Sequence, residues 1–199
     1  MNLPHGINHL MGNCLNKETL STTNLELNST NLKLIESTYD VPEYSLKNIS
    51  MEGKVVNVYD GDTVHVVFVI NNQLVKYNCR LLGIDSPEIC PKNVHDETKR
   101  ELEIASAIKS RDFLISQVTG LTPGKDITKK AIKELCSKSR KLIWIKCYDF
   151  DKYGRLLVEI FLDKNNPVSL NKKMVVAKYA VEYDGGTKKE FCQAHNIEA

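Results

Sequence analysis

Two acidic corners and two arginines in this chain have types and spacings suited to chemistry. The stretch Arg80-Leu81-Leu82-Gly83-Ile84-Asp85-Ser86-Pro87-Glu88 places one permanent cation, two carboxylates and a proline-stiffened turn within nine residues. Upstream, Tyr59-Asp60-Gly61-Asp62-Thr63 forms a second acidic corner, and downstream Asp151-Lys152-Tyr153-Gly154-Arg155 sets an arginine just after a turn. Asp62 and Asp85 offer hard oxygen donors with no histidine or thiolate beside them, which favours calcium, magnesium or manganese over zinc. Glu88 follows Asp85 closely enough to polarise a water held near such an ion. Arg80 and Arg155 can each fork onto phosphate oxygens and stabilise charge in a five-coordinate transition state. That combination suits cleavage of a phosphodiester. Taken singly, an Asp-Gly corner is usually a turn and an exposed Glu or Arg is usually solvated. It is their coincidence at strand ends that carries the reading.

The strands that would bring these corners together are legible from Gly53 onward, where apolar residues recur with period two. Val56 and Val58 alternate with polar neighbours, Asp60-Gly61-Asp62 turns the chain, and Val64, Val66 and Phe68 line one face of the next strand. Asn71-Asn72 is a hairpin signal, after which Val75, Tyr77, Cys79 and Leu81 point inward and Lys76, Asn78 and Arg80 outward. With Asn71-Asn72 at the turn centre, Asp62 faces Leu81 and Asp60 faces Gly83, so Asp62 arrives beside the strand that delivers Asp85. Two carboxylates then converge at one sheet end although 23 residues separate them.

Residues 96–118 read as a helix with Ile104, Ala107, Ile108, Leu114, Ile115 and Val118 on one stripe, interrupted by Arg111 and stopped at Gly120. Asp126 is a candidate cap for a second helix carrying Ile127, Ala131 and Leu135, and Ser169 for a third through Leu170, Met174 and Ala177. Between them lie strands at 142–148 and 155–162. The expected fold is α+β, a five-stranded OB-type barrel with about three helices.

Residues 1–50 are rich in Asn, Ser, Thr and Leu and read as an arm, partly disordered, with a short element near 30–37; the domain is expected over 51–199. Composition adds a bound on partners. The formal charge is +2, but residues 1–50 carry three lysines against five acids, so residues 51–199 carry +4. That mildly basic body is compatible with a polyanionic substrate. No apolar run reaches the roughly 18–20 residues of a membrane span, and the first thirty residues lack a secretory signal, so an intracellular, cytoplasmic protein is expected. Six cysteines without CxxC or metal-finger spacing then read as reduced thiols, Cys79 and Cys147 among them as small core residues. One motif points elsewhere. Were translation to start at Met11, Gly12 would be a myristoylation candidate and Cys14 a palmitoylation site, a two-chain membrane tether. Asn16 stands where that motif prefers Ser or Thr, which favours an ordinary polar arm.

The three motifs, in this order and across roughly residues 51–185, resemble the staphylococcal nuclease (thermonuclease-like) family. The resemblance implies calcium-dependent hydrolysis of single-stranded DNA and RNA, breaking the 5′ P–O bond and leaving 3′-phosphates. Carried over by position, it makes Asp62 and Asp85 side-chain calcium ligands and Ser86 a main-chain one, with Arg80, Glu88 and Arg155 catalytic. It also sets Lys152 and Tyr153 beside the bound nucleotide and Tyr183 on the second family tyrosine, while Val181 replaces the first. Against that family, residues 119–140 are a helical insertion whose lysines (Lys125, Lys129, Lys130, Lys133, Lys138) can touch a nucleic-acid backbone or form a solvated face. Relatives of the Tudor-containing kind keep the barrel, lose catalytic residues and bind RNA or proteins. This chain keeps every catalytic position, which favours the enzyme over such a binding module.

Overall fold

The structure, a computed structural model, describes residues 29–92 and 94–186. The Met11-Gly12-Asn13-Cys14 motif and Cys192 lie outside the described residues. The chain divides between Glu43 and Tyr44 into two compact units. The first contains helix α1 (Ser29–Ile35), the short element expected there, which buries none of its residues.

The second unit is built on a hairpin. Strand β1 (Ser50–Val58) leads through the Asp60–Asp62 corner into β2 (Thr63–Ile70), which pairs antiparallel with β3 (Gln73–Leu81). The connecting Asn71 and Asn72 both take left-handed backbone, φ 48° and 63°, which asparagine tolerates better than most residues. The turn fixes the register: Thr63 stands opposite Arg80 and Val64 opposite Cys79. The Leu81 N–H donates to the Asp62 carbonyl (2.8 Å), one step further along the same ladder. Two residues past β3, the short β4 (Ile84–Asp85) carries the second acid, and helix α2 (Glu97–Thr119) follows. After α3 (Lys129–Lys138), β5 (Ile143–Phe150) and β6 (Leu156–Phe161) return, closing a barrel in the order β1-β2-β3-β6-β5. Helix α4 (Leu170–Val176) and β7 (Val181–Glu182) complete the described chain, β7 pairing with β4.

Alternate residues fill the barrel, among them Val64, Val66, Cys79, Leu81, Ile145 and Val158, each fully buried. One phase is corrected. Val55 rather than Val56 joins Val58 in the core, because a register shift between Val55 and Asn57 adds a residue to β1 and breaks the alternation. The cap of α3 is also corrected: Thr128, not Asp126, accepts the Ala131 N–H, while Asp126 sits at φ 53°. Asp96 and Ser169 cap α2 and α4. Cys79, Cys90, Cys136 and Cys147 are free thiols. Burial pushes Cys79 up to about 12 and Cys147 to about 11, so both are unreactive core residues. Among the described residues no helix is long and apolar enough to cross a membrane.

The barrel unit reaches further back than residue 51. Leu46 is 1% exposed and belongs to the core, and Asn48 and Ile49 exchange backbone hydrogen bonds with Cys147 (2.9 and 2.8 Å). We therefore propose a working boundary at Glu43/Tyr44. A chain beginning at Tyr44 should unfold in urea at the same midpoint as the full chain. One beginning at Ser50 should lose about 2–5 kcal/mol, the usual cost of removing a buried leucine side chain. Equal midpoints for the two would show that Leu46 adds nothing to the core.

Candidate active site

The first acidic corner is a tight turn locked from within. Tyr59 N–H donates to the Thr63 carbonyl (2.9 Å), and the Asp62 N–H donates to the Asp60 carboxylate (3.1 Å). Gly61 is there for space. A Cβ at this position would overlap the Ser110 hydroxyl of α2 and lie 2.7 Å from Ser86 Cβ. Helix α2 thus packs against both acidic corners at once.

Asp62 is 3% exposed, and each of its oxygens is used. Oδ1 meets Arg80 Nη1 at 2.6 Å and accepts the Thr63 hydroxyl at 2.8 Å, while Oδ2 accepts the Ser86 N–H at 3.0 Å. Arg80 reaches the second acid with its other nitrogen: Nη2 lies 3.0 Å from Asp85 Oδ1 and donates to the Ile84 carbonyl at 3.1 Å. One guanidinium therefore bridges two buried carboxylates, one from the β1–β2 corner and one from β4. Burial alone would raise the Asp62 carboxyl, but Arg80 and the Ser86 and Thr63 donors outweigh it and hold Asp62 below its ordinary value. The same pairs raise Arg80 against its own desolvation.

Even with Arg80 in place the corner holds excess negative charge. Burial, then Asp62 and Glu88, push Asp60 up to about 7. Asp60 belongs to the site by this coupling, which sequence spacing alone did not reveal. Among the described residues no three His, Cys, Asp or Glu side chains form a ready-made metal cage. Two buried oxygen donors, with surplus charge beside them, fit a hard cation that keeps several waters.

Glu88 is exposed on the loop after β4, and its backbone is held. Its N–H donates to Oε1 of Glu103 (3.2 Å), a carboxylate of α2 that is 5% exposed. Sequence periodicity missed Glu103, because an apolar stripe is the signal for a helix's inner face. As far as Arg111 the buried face of α2 is Glu103, Ala107, Ser110 and Arg111, with Arg111 paired to Asp112 at 2.8 Å. The i, i+4, i+7 spacing of Glu103, Ala107 and Ser110 was the available clue.

The remaining predicted residues divide into two groups. Tyr183 joins the corner: its N–H donates to the Gly83 carbonyl (3.0 Å), and its ring centre lies 5.7 Å from the Arg80 guanidinium carbon. Beside it a concavity of about 1220 Å³ opens, running from Asp85 and Tyr183 to Lys172 and Val176. Arg155, Lys152 and Tyr153 form a separate cluster around Asp151. Arg155 Nε lies 2.7 Å from Asp151 Oδ2, and both cations sit near the exposed Tyr153 ring (5.5 Å for Arg155, 5.1 Å for Lys152). Because β6 runs parallel to β3 with Leu156 beside Cys79, Arg155 enters one strand away from Arg80.

A five-stranded closed barrel carrying an acid–arginine corner at the end of its central hairpin defines an OB-fold domain. Residues 78–198 match the staphylococcal nuclease homologue family, and the chain belongs to that family. The match takes in Arg80, Asp85, Ser86, Glu88, Arg155 and Tyr183, while Asp62 lies ahead of it and is delivered by the hairpin register. The chain is also similar to an uncharacterized protein of Methanocaldococcus jannaschii, 35% identical over 133 residues, covering 66% of this chain and 58% of that protein.

Proposed function

We propose that this chain is a calcium-dependent phosphodiesterase that hydrolyses single-stranded DNA and RNA at the 5′ P–O bond, leaving 3′-phosphates. The observation that carries it is Arg80 spanning Asp62 and Asp85, with Tyr183 against its face. Asp62, Asp85 and the Ser86 carbonyl would hold the calcium, which when bound supplies charge neutralisation at a phosphate oxygen. Glu88, exposed on a loop anchored through Glu103, takes the proton from the attacking water. Arg80 and Arg155 hold the phosphate from adjacent strands and meet the negative charge that grows in the transition state. Tyr183, Tyr153 and Lys152 line the nucleotide, the rings by stacking and the lysine by charge.

The test is a 5′-labelled single-stranded oligonucleotide with purified protein, in calcium and then in excess chelator. Fragments ending in 3′-phosphate, formed with calcium and absent with chelator, are expected. Binding without cleavage would leave a nucleic-acid-binding module instead.

A further inference from the structure

The positive charge of this protein is concentrated in one place. Residues 125–140 carry six basic and two acidic side chains, a net +4, which equals the whole excess of residues 51–199. The rest of residues 51–199 is neutral, and the proposed phosphate-binding corner is locally acidic. A polyanion therefore gains its electrostatic attraction from this segment rather than from the corner itself.

The segment is also positioned for it. Helix α3 buries Ile132 and Cys136 against the core, and Lys54 of β1 donates to the Ser137 carbonyl (3.0 Å). Lys129, Lys130, Lys133 and Lys138 are left exposed. At the helix start, the Lys129 ammonium lies 5.7 Å from the ring centre of Tyr59, which is 52% exposed and directly precedes Asp60. Further along, burial and then Lys76 and Lys133 push His65 down, so cations of β3 and α3 act on one face of β2. An exposed aromatic beside a lysine-rich helix, continuous with the acidic corner, is the pattern that single-stranded nucleic acid recognises: bases stack on the ring and phosphates meet the ammonium groups.

We propose that the exposed face of α3, together with Tyr59, is a second nucleic-acid track that grips the backbone of a single strand entering or leaving the acid–arginine corner. Its substrate class rests on the nuclease reading, but its test does not require cleavage. Binding of fluorescein-labelled single strands of 20 and 3 nucleotides is measured by anisotropy in chelator, across a salt series, for the full chain and for K129Q/K130Q/K133Q/K138Q. The variant should bind the 20-mer at least tenfold more weakly. Its salt slope should flatten by about three, since each lost phosphate contact on a single strand removes about 0.7. The 3-mer should change less than twofold. Tyr59→Ala should weaken the 20-mer about tenfold, the scale of one lost base stack. An unchanged 20-mer affinity and slope would overturn the track and leave α3 a solvated face. Wild-type protein that ignores both oligonucleotides but binds phosphatidylserine vesicles would overturn it in favour of a lipid surface. Lysine-dependent binding without cleavage in calcium would count against the nuclease reading alone; cleavage with indifferent lysines would count against the track alone.

Discussion

Asp62→Ala is expected to abolish calcium-dependent cleavage and to lower folding stability by about 3–5 kcal/mol, the scale of breaking a buried ion pair. The loss of activity follows from removing one of two side-chain ligands. The loss of stability is a structural consequence. Like-charge repulsion among Asp60, Asp62 and Glu88 would by itself make the substitution stabilising. Yet Asp62 also neutralises Arg80 at 2.6 Å and accepts the Ser86 N–H, so alanine leaves a buried donor and half of a bridged guanidinium uncompensated. The effect has a definite pH dependence. Asp62 is depressed below its ordinary 3.8, so its contribution is fully present above that pH and is lost as pH falls through the lower folded value. Urea midpoints of wild type and variant should differ at pH 7 and approach one another below pH 4. Retained cleavage, or equal midpoints at pH 7, would remove Asp62 from the role assigned to it.

Arg155→Lys should lower kcat by about two to three orders of magnitude, typical of losing one preorganised donor to the transition state. Asp151 fixes Arg155 through Nε and through the backbone N–H (2.9 Å), so the guanidinium plane is set and its terminal nitrogens lie outside that pair. A lysine keeps the charge but can neither hold this two-point geometry nor fork onto two phosphate oxygens. Calcium affinity should barely move, since no ligand is touched. KM should change far less than kcat, because an interaction that strengthens only in the transition state does not hold the ground state. A defect confined to KM would mean Arg155 grips the backbone without aiding the chemistry.

Much of this site was decided locally and is readable in the chain. Two asparagines that tolerate left-handed backbone set a two-residue turn, and the period-two pattern then allowed one register, which places Thr63 against Arg80. That register brings Asp62 to the end of the strand that leads to Asp85. Ser169 caps α4 and Gly120 ends α2 by equally local rules, through a hydroxyl for orphan N–H groups and a residue free to adopt φ 70°. What the tertiary structure decided lies wherever two distant segments meet. The shift in β1 between Val55 and Asn57 leaves no mark in composition. The two-residue strands β4 and β7 are too short to show a period. Leu46 looks like part of a polar arm until Cys147 pairs with its neighbours. Glu103 is a helix carboxylate like many others until the loop after β4 brings the Glu88 N–H to it, and Asp60 is an ordinary turn acid until burial, then Asp62 and Glu88, raise it to about 7. Local propensity and periodicity depend on neighbours within a few residues. Burial and Coulomb coupling depend on distances in space, which only the closed barrel sets.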